Sequence, residues 1–144
     1  MNFLRCTGFK NRKKNKELLI NGDISSLRND EDNDPLQASC NTNYISVDCL
    51  QYMLQMKCGI NIANKTFNTP LHYACTNKNV NLDVIKFLVE NKAQVNLKNH
   101  SGCFPIHLAC YNKAISLEII EYLMEMKSDL KTKINDGTSL FFFN

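Results

Sequence analysis

One short motif recurs at a constant interval along the chain. Proline begins each copy at Pro35, Pro70 and Pro105, so successive copies are 35 residues apart, and each copy ends five residues later in cysteine. Internal repeats of about 20 to 50 residues are typical of solenoids, in which each unit is too small to bury its own apolar faces and stacks against its neighbours. The motif therefore predicts an array of stacked units instead of a domain built around one central core.

A second, longer apolar segment follows each copy of the motif in the same register. In the middle copy, Thr69 suits the N-cap of a short helix and Pro70 suits its first turn. In the segment that follows, Leu82, Ile85 and Leu88 fall on one stripe of a longer helix. We therefore predict an all-α fold in which every unit contributes a short helix, a turn, a longer helix and an extended return.

The sequence TPLH at residues 69–72 and its counterpart FPIH at residues 104–107 resemble the ankyrin repeat, whose usual unit has about 33 residues and a T-P-L-H signature. The resemblance implies an α-solenoid of stacked helix-turn-helix units with β-hairpin-like loops projecting to one side. It also implies that the two histidines hydrogen-bond the turn backbone and the neighbouring unit. The residues assigned to this structural motif are Thr69, Pro70, Leu71, His72, Gly102, Pro105, Ile106, His107 and Gly137.

The register of the motif divides the chain into units. Residues 1–15 are a basic N-terminal segment, and residues 16–144 are one solenoid domain. We expect this domain to comprise a degenerate N-capping repeat at 16–34, repeats at 35–69, 70–104 and 105–133, and a truncated C-terminal repeat at 134–144. The apolar residues 140–143 either fold back over the last complete repeat as a cap or associate with a second copy of the chain.

Two features depart from the family's usual pattern. The family places glycine in the left-handed conformation at the end of the longer helix, and Lys57, Lys92 and Lys127 occupy that position here. A side chain in this conformation costs about 1 kcal/mol per site, so we expect a less stable array than a consensus array of equal length. The turns between paired helices, at 77–81 and 112–116, are longer than usual and rich in asparagine, and we expect them to be exposed and mobile.

Residues that could support catalysis or bind a cofactor do not form a recognisable pattern. The five glycines are dispersed, so no phosphate-binding loop is indicated, and no Cys-x-x-Cys pair suggests a metal site. The repeat itself accounts for the recurring Cys40, Cys75 and Cys110, and we interpret all seven cysteines as reduced, buried thiols. We therefore predict no catalytic residues, no metal and no cofactor, and the chain is not expected to be an enzyme.

The composition and the N-terminal residues indicate where the protein is located in the cell and which classes of partner it can bind. The chain has 144 residues and a net charge of +3, and charged or polar residues interrupt every apolar run before it reaches the roughly 18 residues of a membrane-spanning helix. The first residues lack the pattern of a secretion signal, which favours a cytoplasmic location, with the nucleus as the alternative. The basic residues at 10–16 are not interleaved with aromatic residues, so binding to nucleic acid is not favoured.

The resemblance implies a non-catalytic protein–protein interaction module. We expect a small intracellular adaptor or inhibitor that binds another protein through its concave face and loop tips; the alternative is a targeting fragment of a larger enzyme or effector. Tyr111 is the strongest single candidate for a hot spot, and Phe67 either acts as a second anchor or packs against the adjacent loop. The predicted partner-binding residues are Lys65, Thr66, Phe67, Asn68, Thr76, Asn77, His100, Ser101, Cys103, Tyr111, Asn112, Asn135 and Asp136.

Overall fold

A computed structural model of the chain describes residues 3–9, 24–128, 133–135 and 137. All regular elements within this part of the chain are α-helices. They are α1 (Phe3–Thr7), α2 (Pro35–Cys40), α3 (Val47–Gln55), α4 (Pro70–Thr76), α5 (Leu82–Glu90), α6 (Pro105–Tyr111) and α7 (Leu117–Glu125). The helices α2 with α3, α4 with α5, and α6 with α7 form three helix pairs in contact, one for each copy of the motif.

The helix pairs stack on one another in chain order. The short helices α2, α4 and α6 pack in one row, and the longer helices α3, α5 and α7 pack in a second row. Leu36, Leu71 and Ile106, at the same position of successive units, are fully buried between the rows. Each unit therefore shelters the apolar face of the next, as the sequence repeat predicts, and the all-α solenoid is confirmed.

The longer helices begin at polar N-caps. Ser46 accepts a hydrogen bond from the backbone N–H of Cys49 at 3.3 Å, and Asn81 accepts one from Val84 at 3.1 Å. These side-chain oxygens satisfy N–H groups that have no partner within the helix. Their positions, one period apart, fix where each longer helix starts relative to its short partner.

The end of each longer helix is left-handed, as predicted. Lys57, Lys92 and Lys127 have φ values of 64°, 72° and 60°. The backbone C=O of Lys92 accepts a hydrogen bond from Nδ2 of Asn61 in the preceding unit, at 2.9 Å. The equivalent bond joins Asn96 to the C=O of Lys127 at 3.0 Å. Lys92 and Lys127 therefore each present a carbonyl oxygen to the preceding unit.

The start of the solenoid differs from the expected boundary at residue 16. Helix α1 packs against α2, and Phe3, Cys6 and Phe9 are buried in the shared core. Residues 3–9 thus belong to the array, although this segment is expected from the sequence to lie outside it. The basic stretch at 10–16 and the first part of the predicted N-capping repeat, up to residue 23, lie outside the described residues, as do residues 140–143.

The interpretation of all cysteines as reduced, buried thiols is wrong at three positions. Cys6 of α1 and Cys49 of α3 form a disulfide that joins the first helix to the second row. Cys110 is exposed, because it lies at the end of α6 and no following helix pair covers it within the described residues. Cys40, Cys58, Cys75 and Cys103 are free and buried. The helices of the described region include none that is both long and apolar enough to cross a membrane.

Candidate functional site

One asparagine organises each loop that precedes a short helix. Oδ1 of Asn64 accepts hydrogen bonds from the backbone N–H groups of Thr66 at 3.1 Å and Asn68 at 3.0 Å. The N–H of Asn64 donates to the C=O of Asn68 at 3.2 Å, which closes the loop as a tight hairpin-like turn. Asn29 and Asn99 hold their loops in the same way. Sequence reasoning missed these three asparagines, although their spacing of 35 residues was visible.

Neighbouring loop tips are joined to one another through the backbone. The N–H of His100 donates to the C=O of Thr66 at 2.9 Å, and the N–H of Asn135 donates to the C=O of Ser101 at 3.0 Å. Side chains add further bonds, because Nδ2 of Asn99 donates to Oδ1 of Asn68 at 3.0 Å. The tips therefore form one connected edge of the solenoid, in which each loop holds the position of the next.

The motif histidines occupy the buried bases of these loops. Nδ1 of His72 accepts a hydrogen bond from the N–H of Thr69 at 3.1 Å, so Nε2 carries the proton and donates to the C=O of Cys103 at 3.1 Å. The N–H of Phe104 likewise donates to Nδ1 of His107 at 2.9 Å. Burial lowers the pKa of His72, which keeps its ring neutral. The bonds to Nδ1 hold each turn, and the bond between His72 and Cys103 links the base of one loop to the base of the next.

The remaining motif residues are structural as well. Thr69, Pro70, Leu71, Pro105 and Ile106 are buried. Gly102 has a φ of 75°, and a Cβ added there would collide with Asn135 of the next loop. Gly137 also has a positive φ, of 83°. Glycine at residue 102 therefore permits both the left-handed turn and the close approach of the next loop.

Most of the predicted partner-binding residues are accessible. Three groups can be distinguished by exposure. The exposed residues are Lys65, Thr66, Phe67, Thr76, His100, Ser101, Tyr111 and Asn135. Asn68 and Asn112 are half-buried, and Asp136 lies outside the described residues. The exposed members belong to the loop tips and to the C-terminal ends of the short helices.

Two of the predicted partner-binding residues are buried, and that assignment is corrected here. Cys103 is 5% exposed and Asn77 is 8% exposed. Nδ2 of Asn77 donates to the C=O groups of Cys40 and Thr42 at 2.8 Å each, so the side chain closes the end of the preceding short helix. Asn112 makes the equivalent bonds, to Cys75 at 3.1 Å and Asn77 at 3.3 Å. These turns are therefore fastened to the preceding unit.

An aromatic pair lies at the centre of the loop-tip edge. The ring of Phe67 is 53% exposed and its centroid is 4.9 Å from that of the His100 ring in the next loop. Phe67 has a φ of 58°, in the region that Gly102 and Gly137 occupy in later copies. Both expected roles of Phe67 are thus compatible, since one face of the ring contacts the adjacent loop while the residue remains accessible.

Burial affects the reactivity of the cysteines that recur with the motif. Burial raises the pKa values of the Cys40 and Cys75 thiols, and partial burial raises that of the otherwise exposed Cys110, which disfavours the thiolate that a nucleophile requires. Across residues 3–9, 24–128, 133–135 and 137, no group of three or more histidine, cysteine, aspartate or glutamate residues is placed to hold a metal ion.

Stacked helix pairs with connected projecting loops define this chain as an α-solenoid repeat protein. The family model described as ankyrin repeats, in three copies, matches residues 6–99 and 46–136. The chain therefore belongs to the ankyrin repeat family, and the sequence-based resemblance is confirmed. A comparison with curated proteins found no match. Ankyrin repeats are in general protein–protein interaction modules.

Proposed function

We propose that this protein is a non-catalytic scaffold, a small adaptor or inhibitor, that holds a partner protein against its loop tips and the exposed C-terminal ends of its short helices. The family supports protein binding in general, and the geometry of the exposed side chains supports this surface in particular. The partner's contacts would extend from the Phe67 and His100 pair across the short helices to Tyr111.

The observation that carries the proposal is the exposed aromatic ring of Phe67. A phenylalanine in the left-handed region costs about 1 kcal/mol relative to glycine, and half of its surface stays in water. The contact between the Phe67 and His100 rings buries part of the side chain and offsets these costs only in part. Asp32, one period earlier, has a φ of 64°, so the conformation belongs to this turn of the repeat. What distinguishes Phe67 is its large exposed ring, and such rings dominate interface energies. Phe67 therefore has the properties of an anchor for a partner.

Rigidity of the surface supports the same function. The hydrogen bonds between loop tips and those of Asn77 and Asn112 fix the backbone on which the exposed side chains stand. A surface that is already ordered loses less conformational entropy when it binds. A few exposed anchor residues can therefore be sufficient for this surface to bind a partner.

Quantitative capture from native lysate tests the proposal. Immobilised wild-type chain is compared with Phe67→Ala, Tyr111→Ala and the matched control Leu117→Ala, which removes an apolar side chain that is 67% exposed on a longer helix. We expect the wild-type and control columns to retain one or more proteins. The same proteins should not be retained by the Phe67→Ala column or by the Tyr111→Ala column. Retention that is equal on all four columns would refute the proposed surface.

The cytoplasmic or nuclear location stays a prediction. The disulfide between Cys6 and Cys49 bears on it, because disulfides form in oxidising compartments and are rare in the cytosol. Alkylation of free thiols in freshly lysed cells, followed by mass spectrometry of the peptides containing these two cysteines, would determine whether the bond exists in the compartment where the protein resides.

A further inference from the structure

We propose that the uncovered face of the last helix pair is a docking site for residues 138–144 of the same chain, which occupy the position of the short helix of a fourth unit. This face, called the end face here, is formed by α6 and the adjoining part of α7 on the side away from α4 and α5. Residues 138–144 lie outside the described part of the chain. The end face includes none of the residues assigned to partner binding.

Equivalent residues of successive units show which side chains the end face leaves uncovered. Cys75 of α4 and Ile85 of α5 are fully buried in a unit against which the next helix pair packs. Their equivalents one repeat later are Cys110, which is exposed, and Ile120, which is only half-buried. Two positions that belong to the core of the middle unit are therefore accessible in the last one.

A fourth loop tip is already fastened to the third. The N–H of Asn135 donates to the C=O of Ser101 at 3.0 Å, just as the N–H of His100 donates to the C=O of Thr66 at 2.9 Å in the preceding pair of loops. Nδ2 of Asn135 also donates to the C=O of His100 at 2.7 Å. The array therefore continues with the same loop-to-loop bonds beyond its last described helix pair.

The backbone at Gly137 indicates where the chain goes next. The N–H of Gly137 donates to the C=O of Ile134 at 2.9 Å, and its φ is 83°. Gly102 makes the equivalent bond to Asn99 at 2.9 Å with a φ of 75°, and three residues later α6 begins at Pro105. Because the two turns share this bond and a similar φ, we expect the chain to leave Gly137 toward the start of a short helix.

The segment that follows has the polarity that the end face requires. Its sequence is TSLFFFN, with four consecutive apolar residues and no charge. Phe141 stands at the position that Ile106 occupies in α6. That position is fully buried at Ile106, and equally at Leu36 and Leu71 in the two earlier units. Phe141 therefore supplies the apolar side chain that each described unit buries at this place.

A second copy of the chain fits the end face less well. The charged residues of α7 are Glu118, Glu121 and Glu125, which are all exposed, and the helix has no basic residue. A two-fold pairing of end faces would bring these glutamates close to their own copies, and like charges repel. The segment carries no charge, and because it directly follows Gly137 its effective concentration at the end face is on the order of millimolar.

The reactivity of the Cys110 thiol reports whether the segment covers the end face. Of the five free cysteines, which all lie within the described residues, Cys110 is the exposed one. The intact chain is labelled with a maleimide without reductant, and mass spectrometry of peptides gives the rate at each cysteine. We expect Phe141→Asp to raise the labelling rate of Cys110 about tenfold, because a carboxylate is costly to bury and the segment would leave the end face.

Two further variants make the test specific. Phe143→Asp is the matched control, because it makes the same change in the same segment at a position that is only half-buried at Tyr73 and Leu108. We expect it to raise the rate much less than Phe141→Asp does. Deletion of residues 138–144 removes the segment and should give the same rate at Cys110 as Phe141→Asp. Slow labelling of the four buried cysteines verifies that each variant is folded.

Three results would overturn the assignment. Equal labelling rates in wild type and the deletion variant would show that the segment does not cover the end face. Equal rates in the two aspartate variants would show that Phe141 is not at the buried position. A wild-type rate that falls as the protein concentration rises would identify a second copy as the occupant. Because none of these variants alters Phe67 or Tyr111, the capture experiment is independent of all three results.

Discussion

The left-handed lysines allow the stability of the array to be raised by substitution with glycine. Lys92 has a φ of 72°, its side chain is exposed, and its hydrogen bonds to Val89 and Asn61 use backbone atoms. Lys92→Gly therefore keeps every contact in which the residue takes part and relieves about 1 to 2 kcal/mol of backbone strain. The same reasoning applies at Lys57 and Lys127.

Two smaller effects oppose this gain. Lys92 places a cation near the negative end of α5, worth about 0.3 to 1 kcal/mol at most exposed sites, and glycine increases the freedom of the unfolded chain. We expect a net gain of about 0.5 kcal/mol for Lys92→Gly. The sites lie in different units, so the triple variant with Lys57→Gly and Lys127→Gly should gain about 1.5 kcal/mol, which raises Tm by about 5 °C.

Urea unfolding followed by circular dichroism measures both variants, with Lys92→Ala as the matched control. Alanine removes the same charge as glycine but retains a Cβ, so Lys92→Ala should be no more stable than wild type. Equal gains for the alanine and glycine variants would refute the strain argument, as would a glycine variant that is less stable than wild type.

Two further predictions concern the first units. Asp34 is fully buried at the N-cap of α2, where it accepts a hydrogen bond from the N–H of Gln37 at 2.7 Å, and burial raises its pKa from 3.8 to about 6. Because the folded state then binds the proton more tightly than the unfolded state, the charge destabilises the fold above pH 6, and this cost disappears as the pH falls to about 4. Asp34→Asn should therefore be more stable than wild type by up to about 3 kcal/mol at pH 7 and by little at pH 4. Urea unfolding at both pH values measures this difference in stability. A difference that does not change with pH would contradict the argument. Reduction of the Cys6–Cys49 disulfide, which spans 43 residues, should destabilise the protein by up to about 4 kcal/mol, measured by urea unfolding with and without reductant. The double variant Cys6→Ser with Cys49→Ser serves as control, and a reductant effect on that variant would show that the disulfide is not the cause.

The repeat register could be predicted from the sequence because its signals are local. Proline at the first turn, apolar residues at helical spacing and a lysine at the helix end each act within one unit, and the structure places all of them as expected. Helix α1 escaped prediction because it lacks the proline motif. Helix α1 belongs to the array because it packs against α2 and because Phe3, Cys6 and Phe9 are buried in the shared core. This is a contact between segments that are distant in the sequence.

The roles of the asparagines illustrate the limit of sequence reasoning about the site. Asn77 and Asn79 are close neighbours in one polar turn, and composition alone indicates that both are exposed. Asn77 is nevertheless buried because two carbonyl groups at the end of α2 lie within reach of its amide, whereas Asn79 remains accessible. What distinguishes the two is the position of acceptors roughly one repeat earlier in the chain.

The bonds between units have a consequence for how such a chain can change in length. His72, Asn77 and Asn61 each reach a partner about one repeat length away in the chain, and the partners of equivalent residues lie at equivalent backbone positions. Excision of residues 70–104 would therefore bring Pro105 into the place of Pro70 and leave backbone acceptors at equivalent positions for these bonds. Loss of a few residues would instead shift all later partners out of reach. Duplication or deletion of whole 35-residue segments is thus the route by which this gene can lengthen or shorten its product without loss of the fold.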